Sequence, residues 1–139
     1  MKKGYKELID EANQQIETCM VEEARKLHDD PNVLFVDLRD VRELEREGMI
    51  PGAMHAPRGM LEFWVDPDSP YHKPVFASGK RFVFYCQSGW RSALATKAVQ
   101  EMGLAPVCHL GGGFTAWRKA EGPVAERKPH EPKLHEPKA

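Results

Sequence analysis

Two short runs constrain the chain most: Val33-Leu34-Phe35-Val36-Asp37-Leu38 and Arg81-Phe82-Val83-Phe84-Tyr85. Both are rich in β-branched and aromatic residues. Neither alternates apolar with polar, as a strand with one wet face would. A strand without alternation is buried on both faces, which is the environment of a parallel sheet covered by helices. The stretches between and after these runs fit that arrangement. Ser92 to Met102 places Ala93, Leu94, Ala98 and Val99 at helical spacing and stops at Gly103. Pro106 to Leu110 reads as a further strand, and Gly111-Gly112-Gly113 turns the chain into a last helix, Phe114 to Ala120. Strands alternating with helices predict an α/β fold.

The remaining segments are smaller. Leu8, Ile9, Ala12 and Ile16 mark an N-terminal helical lead-in over residues 1–15. Ile16 to Cys19 is a brief extended segment. Thr18 is then placed to cap a helix from Met20 to His28. A charged stretch runs from Asp40 to Glu47, Met54 to Pro57 reads as a short strand, and residues 59–65 as a short helix. Pro67, Pro70, Pro74 and Gly79 make residues 66–80 a loop. From residue 123 the composition changes to a Pro/His/Lys/Glu tail with the repeat His130-Glu131-Pro132-Lys133 and His135-Glu136-Pro137-Lys138. Such a segment buries too little to repay its ordering entropy, so residues 123–139 are expected to be disordered, leaving a domain over 16–122.

Charge and composition narrow the function. A formal net charge of −1 gives no global field for nucleic acid or an anionic membrane. No run approaches membrane-spanning length, and the N-terminus does not read as a secretory signal. The cysteines, Cys19, Cys86 and Cys108, have no metal-ligand spacing and no even-numbered disulfide set. These features predict a cytoplasmic protein with free thiols.

One of those thiols sits where ligands bind in such folds, at the carboxyl end of a strand. Cys86 follows the buried run directly, and a helix opens about five residues later. Backbone N–H groups of Gln87, Ser88, Gly89 and Trp90, with the helix N-terminus at Ser92, form a cradle for negative charge. A thiol there is expected to ionise below the usual value of about 8.5. Gly89 lets the backbone curl, and Arg91 adds a forked cation.

The segment Tyr85-Cys86-Gln87-Ser88-Gly89-Trp90-Arg91-Ser92-Ala93 closely resembles the active loop of rhodanese domains. Val36-Asp37-Leu38-Arg39, Glu43 and Gly48-Met49-Ile50-Pro51-Gly52-Ala53 resemble the family's N-terminal signature. Leu110-Gly111-Gly112-Gly113-Phe114-Thr115-Ala116-Trp117 resembles its C-terminal one. The resemblance spans roughly residues 16–120. It implies a five-stranded parallel sheet flanked by helices and a two-step sulfurtransferase reaction. In that reaction Cys86 takes a sulfane sulfur from thiosulfate or a persulfide, then yields it to cyanide, a thiol or a protein acceptor. Neither metal nor organic cofactor is implied. A persulfide carrier with little free turnover is an alternative. So is a phosphatase or arsenate reductase of the same fold, although related dual-specificity phosphatases carry five residues between Cys and Arg and this chain carries four.

Supporting roles are left open at this level. Asp37 orders the loop or Arg39, or the two simply pair. Glu43 is spaced to pair with Arg39. Arg58 is either an anion guide or a surface residue. Trp90 either lines the pocket mouth or packs on the following helix. His55 and Cys108 read as structural.

Overall fold

The computed structural model describes residues 1–128. Five strands form one sheet: β1 (Glu17–Cys19), β2 (Val33–Asp37), β3 (Met54–His55), β4 (Arg81–Tyr85) and β5 (Val107–Leu110). Their order is β1-β5-β4-β2-β3, and every pairing is parallel. The two apolar runs lie side by side, with Val33 opposite Arg81 and Asp37 opposite Tyr85. Six helices accompany them: α1 (Tyr5–Gln15), α2 (Val21–Leu27), α3 (Val41–Glu47), α4 (Leu61–Val65), α5 (Trp90–Glu101) and α6 (Gly113–Lys119).

The lack of alternation in the strands has the expected cause. Successive side chains point to opposite faces of a sheet, and here both faces are covered. Val36, Phe82, Phe84 and Val107 pack with Leu61, Ala95 and Val99 on one face. Phe35, Val83, Tyr85, Cys108 and Leu110 pack with Val21, Ala24, Phe114 and Trp117 on the other.

Several local expectations are corrected. Thr18 does not cap a helix. It lies within β1, and α2 opens after Met20 with no side-chain cap. The charged stretch is helix α3, opened by a capping box in which Asp40 and Glu43 satisfy each other's backbone donors. Leu44 anchors it to the core. Inside the proline-rich segment, Pro74–Ala77 form a 3-10 turn that buries Phe76 against Phe82, with ring centroids 5.3 Å apart. Helix α5 starts two residues earlier than expected, so Trp90 is its first residue and not a loop residue. Gly89, at φ +110°, makes that early start possible.

Of the segment expected to be disordered from residue 123, the first part is described. The Trp117 indole donates to the Pro123 carbonyl at 2.8 Å, and Ala125 bridges Met49 through two backbone hydrogen bonds of 2.8 and 2.9 Å. Residues 129–139 lie outside the described residues. Among the described residues no helix is long and apolar enough to cross a membrane.

Candidate active site

Cys86 is the first residue beyond β4, at the carboxyl end of a central strand. The left-handed turn at Gly89 folds the chain back over the sulfur. The Gly89 and Ser92 amides donate to Sγ at 3.2 and 3.4 Å, and Ser92 Oγ lies 3.5 Å from it. Helix α5 opens here, so its dipole adds to the two amides. Cys86 is buried, while Ser88 and Trp90 are exposed.

The loop is held from behind by the glycine turn after β5. Phe114 N donates to the Cys86 carbonyl at 2.9 Å and Thr115 N to the Gln87 carbonyl at 3.1 Å. A Cβ on Gly113 would stand 2.6 Å from each of those carbonyl oxygens. Only a residue without a side chain allows this approach, which is why glycine stands at the first position of α6.

A second support is ionic. Asp37 and Arg39 are fully buried and paired through side-chain contacts of 2.8, 3.0 and 3.3 Å. Arg39 also donates to Gly48 O at 2.8 Å and to Gln87 Oε1 at 3.1 Å, and its guanidinium lies 4.3 Å from the Phe114 ring centroid. Gln87 returns hydrogen bonds to Thr115 at 3.1 Å and Glu47 at 3.3 Å. Asp37 and Arg39 thus act on the loop from below, through Gln87.

Arg91 interacts electrostatically with Cys86, but its fork is taken. Nη1 and Nη2 donate to the Glu43 carboxylate at 2.8 and 3.0 Å. That bidentate contact holds the Glu43 carboxyl below its ordinary range. Glu43 therefore partners Arg91, and not Arg39 as its spacing suggested. Arg58 pairs with Glu62 at 2.6 Å, with no described bond to the loop. His55 bonds to the Arg39 carbonyl at 2.7 Å. Trp90 packs against Tyr5 of α1, ring centroids 5.1 Å apart.

Two partners escaped the sequence reading. Glu43 could have been found through the capping box, which places it on the first turn of a helix beside the site. His109 is the other. Its Nδ1 is 2.9 Å from Ser92 Oγ, and burial pushes its pKa down to about 4. The available signal was a polar residue in the run Val107-Cys108-His109-Leu110, since a buried polar group needs a partner. Cys19 and Cys108 lie in the core away from the loop. A hydrogen bond with Cys108, and then burial, pushes the Cys19 thiol up. All three cysteines are free.

A parallel five-stranded sheet with a cysteine cradled at the end of its central strand defines the class. The rhodanese-like domain family matches residues 20–120, and the chain belongs to that family. The putative sulfurtransferase YtwF of Bacillus subtilis is 33% identical over 103 residues, covering 74% of this chain and 88% of that protein. A Rhodopseudomonas palustris structure, described as of unknown function and a possible tyrosine phosphatase, is 54% identical. It superposes with a TM-score of 0.87 and covers 90% of this chain and 96% of its own. The 30 kDa polysulfide-sulfur transferase homodimer of Wolinella succinogenes is 25% identical, with a TM-score of 0.67 and coverage of 94% and 93%.

Proposed function

We propose that the protein is a sulfurtransferase that carries a sulfane sulfur on Cys86. The observation that carries this reading is the sulfur itself, ringed by the Gly89 and Ser92 amides at the N-terminus of α5. Those donors stabilise negative charge on sulfur, and the thiolate is the attacking form. Family membership and the sulfurtransferase relatives support sulfur transfer in general. In the first step the thiolate attacks the outer sulfur of thiosulfate or of a persulfide. The donor's S–S bond breaks, and sulfite or a thiolate leaves with the electron pair. In the second step a thiol, cyanide or a protein acceptor attacks the terminal sulfur of the Cys86 persulfide, and the Cys86 thiolate returns. The backbone amides serve both states, so the reaction needs no dedicated base.

The description of the Rhodopseudomonas relative raises phosphoryl chemistry as a second reading. Phosphate recognition by arginine uses a free, planar fork, and here both terminal nitrogens of Arg91 are held by Glu43. That favours sulfur over phosphate.

Mass spectrometry after treatment with thiosulfate, or with a low-molecular-weight persulfide, tests the reading. The expected result is a gain of one sulfur atom on Cys86, absent in Cys86→Ser, with sulfite or thiocyanate formed over many turnovers. Loading without repeated turnover identifies a carrier. Hydrolysis of an aryl phosphate or reduction of arsenate, with no sulfur uptake, overturns the proposal.

A further inference from the structure

Cys86 does not end its contacts at the loop. Ser92 Oγ stands between Cys86 Sγ at 3.5 Å and His109 Nδ1 at 2.9 Å, forming a buried chain of three side chains. Ser92 is fully buried and His109 is 3% exposed. Among the described residues, His109 Nε2 has no hydrogen-bond partner. The ring helps wall a cavity of about 290 Å³ beneath α1, together with Asn13, Thr18, Gly89, Trp90 and Gly112.

A hydroxyl in this position can point only one way at a time. If it donates to His109, it accepts from a Cys86 thiol. If it donates to a Cys86 thiolate, it must accept from His109. An imidazole serves either arrangement while remaining neutral, because its single proton sits on one nitrogen or the other.

We propose that His109 is a positioning residue for Cys86 that acts through Ser92, its neutral tautomer reversing with the charge on the sulfur. With Cys86 protonated, S–H donates to Ser92 Oγ, the hydroxyl donates to Nδ1, and the ring proton is on Nε2. With Cys86 ionised, Nδ1–H donates to Ser92 Oγ and the hydroxyl becomes the third donor to sulfur, beside the Gly89 and Ser92 amides. One proton leaves for solvent, sulfur keeps its electron pair, and nothing is oxidised. The unpartnered Nε2 fits this role, since a fixed partner there would lock one tautomer.

Burial keeps the ring neutral across the working range. None of the cavity's other lining residues is titratable. The charged pairs around the loop are Arg91 with Glu43 and Asp37 with Arg39, and the Cys108 thiol precedes His109 on β5, so Cys86→Ser is the control that assigns a tautomer change at His109 to the sulfur.

The test uses the full chain, ¹⁵N-labelled at histidine. As pH rises through Cys86 ionisation, the His109 nitrogen signals are expected to exchange identity, from Nε2–H to Nδ1–H, without an imidazolium phase. Cys86→Ser abolishes the exchange. In parallel, iodoacetamide alkylation of Cys86 is measured against pH. Ser92→Ala and His109→Ala each slow alkylation near neutrality by about tenfold, the worth of one hydrogen bond to a charged acceptor. Both converge on the wild-type rate at high pH. His109→Asn, whose amide can donate or accept at the Nδ1 position, restores most of the loss. A single tautomer throughout, or a His109→Ala profile that coincides with wild type, overturns the proposal. The inference goes beyond sulfur transfer but shares its nucleophile. Neither readout requires a sulfur donor, so a Cys86 that switches His109 yet takes no sulfur refutes the proposed function and leaves this one standing.

Discussion

Gly113→Ala tests how the Cys86 loop is held. Gly113 has φ +60°, and an added Cβ would lie 2.6 Å from both the Cys86 and Gln87 carbonyl oxygens. Gly52 is the control. It has φ +78° with nothing within 4 Å of an added Cβ. Left-handed backbone costs an alanine ~1–2 kcal/mol, partly offset by about 0.4–1 kcal/mol from the stiffer unfolded chain. Gly52→Ala should therefore lose about 1 kcal/mol. Gly113→Ala carries the same strain and also pushes α6 off the loop. That breaks the Phe114 N to Cys86 O and Thr115 N to Gln87 O bonds, each worth ~0.5–1.5 kcal/mol. The expected loss is about 3 kcal/mol in all. Urea unfolding measures both variants as shifts in midpoint at constant slope. Cys86 alkylation should slow in Gly113→Ala and stay unchanged in Gly52→Ala. Equal destabilisation of the two variants, with equal alkylation, would falsify the claim that close backbone approach holds the loop.

Two further outcomes follow from buried charge. Asp37→Ala leaves Arg39 fully buried without its carboxylate, a change that costs ~3–5 kcal/mol; chemical denaturation showing a loss under 1 kcal/mol would contradict the pairing. His109 sets an acid limb of stability. Its folded pKa is depressed to about 4 from an ordinary value of 6.5, so the unfolded chain takes up the proton first as pH falls. The stability present above about pH 6.5 is lost progressively toward pH 4, on the order of 3 kcal/mol in total. Stability measured between those pH values should fall more steeply in the wild type than in His109→Asn, and parallel curves would disprove it.

Much of the architecture is legible in local patterning. The runs 33–38 and 81–85 declare double burial because their composition alone demands it, and the parallel sheet follows from the helices between them. Cys86 was identifiable because its setting, a strand end followed by Gly89, Arg91 and a helix, is contained in eight consecutive residues. The capping box at Asp40 and Glu43 was also present in the chain, although charge concealed the helix behind it.

Partnerships between distant segments are another matter, since no local pattern encodes them. Glu43 meets Arg91 because α3 follows β2 and β2 lies beside β4, a neighbourhood created by strand order. Sequence spacing instead pointed Glu43 toward Arg39, whose charge is already matched by Asp37 in the core. His109 reaches Ser92 because β5 pairs with β4 and α5 packs across that pair. The sequence by itself determined the class of fold and which cysteine stands at the strand end, because burial and turn chemistry act over a few residues. Only the tertiary structure decided which side chains surround that sulfur, because strand order brings together groups such as Glu43 and Arg91 that lie 48 residues apart along the chain.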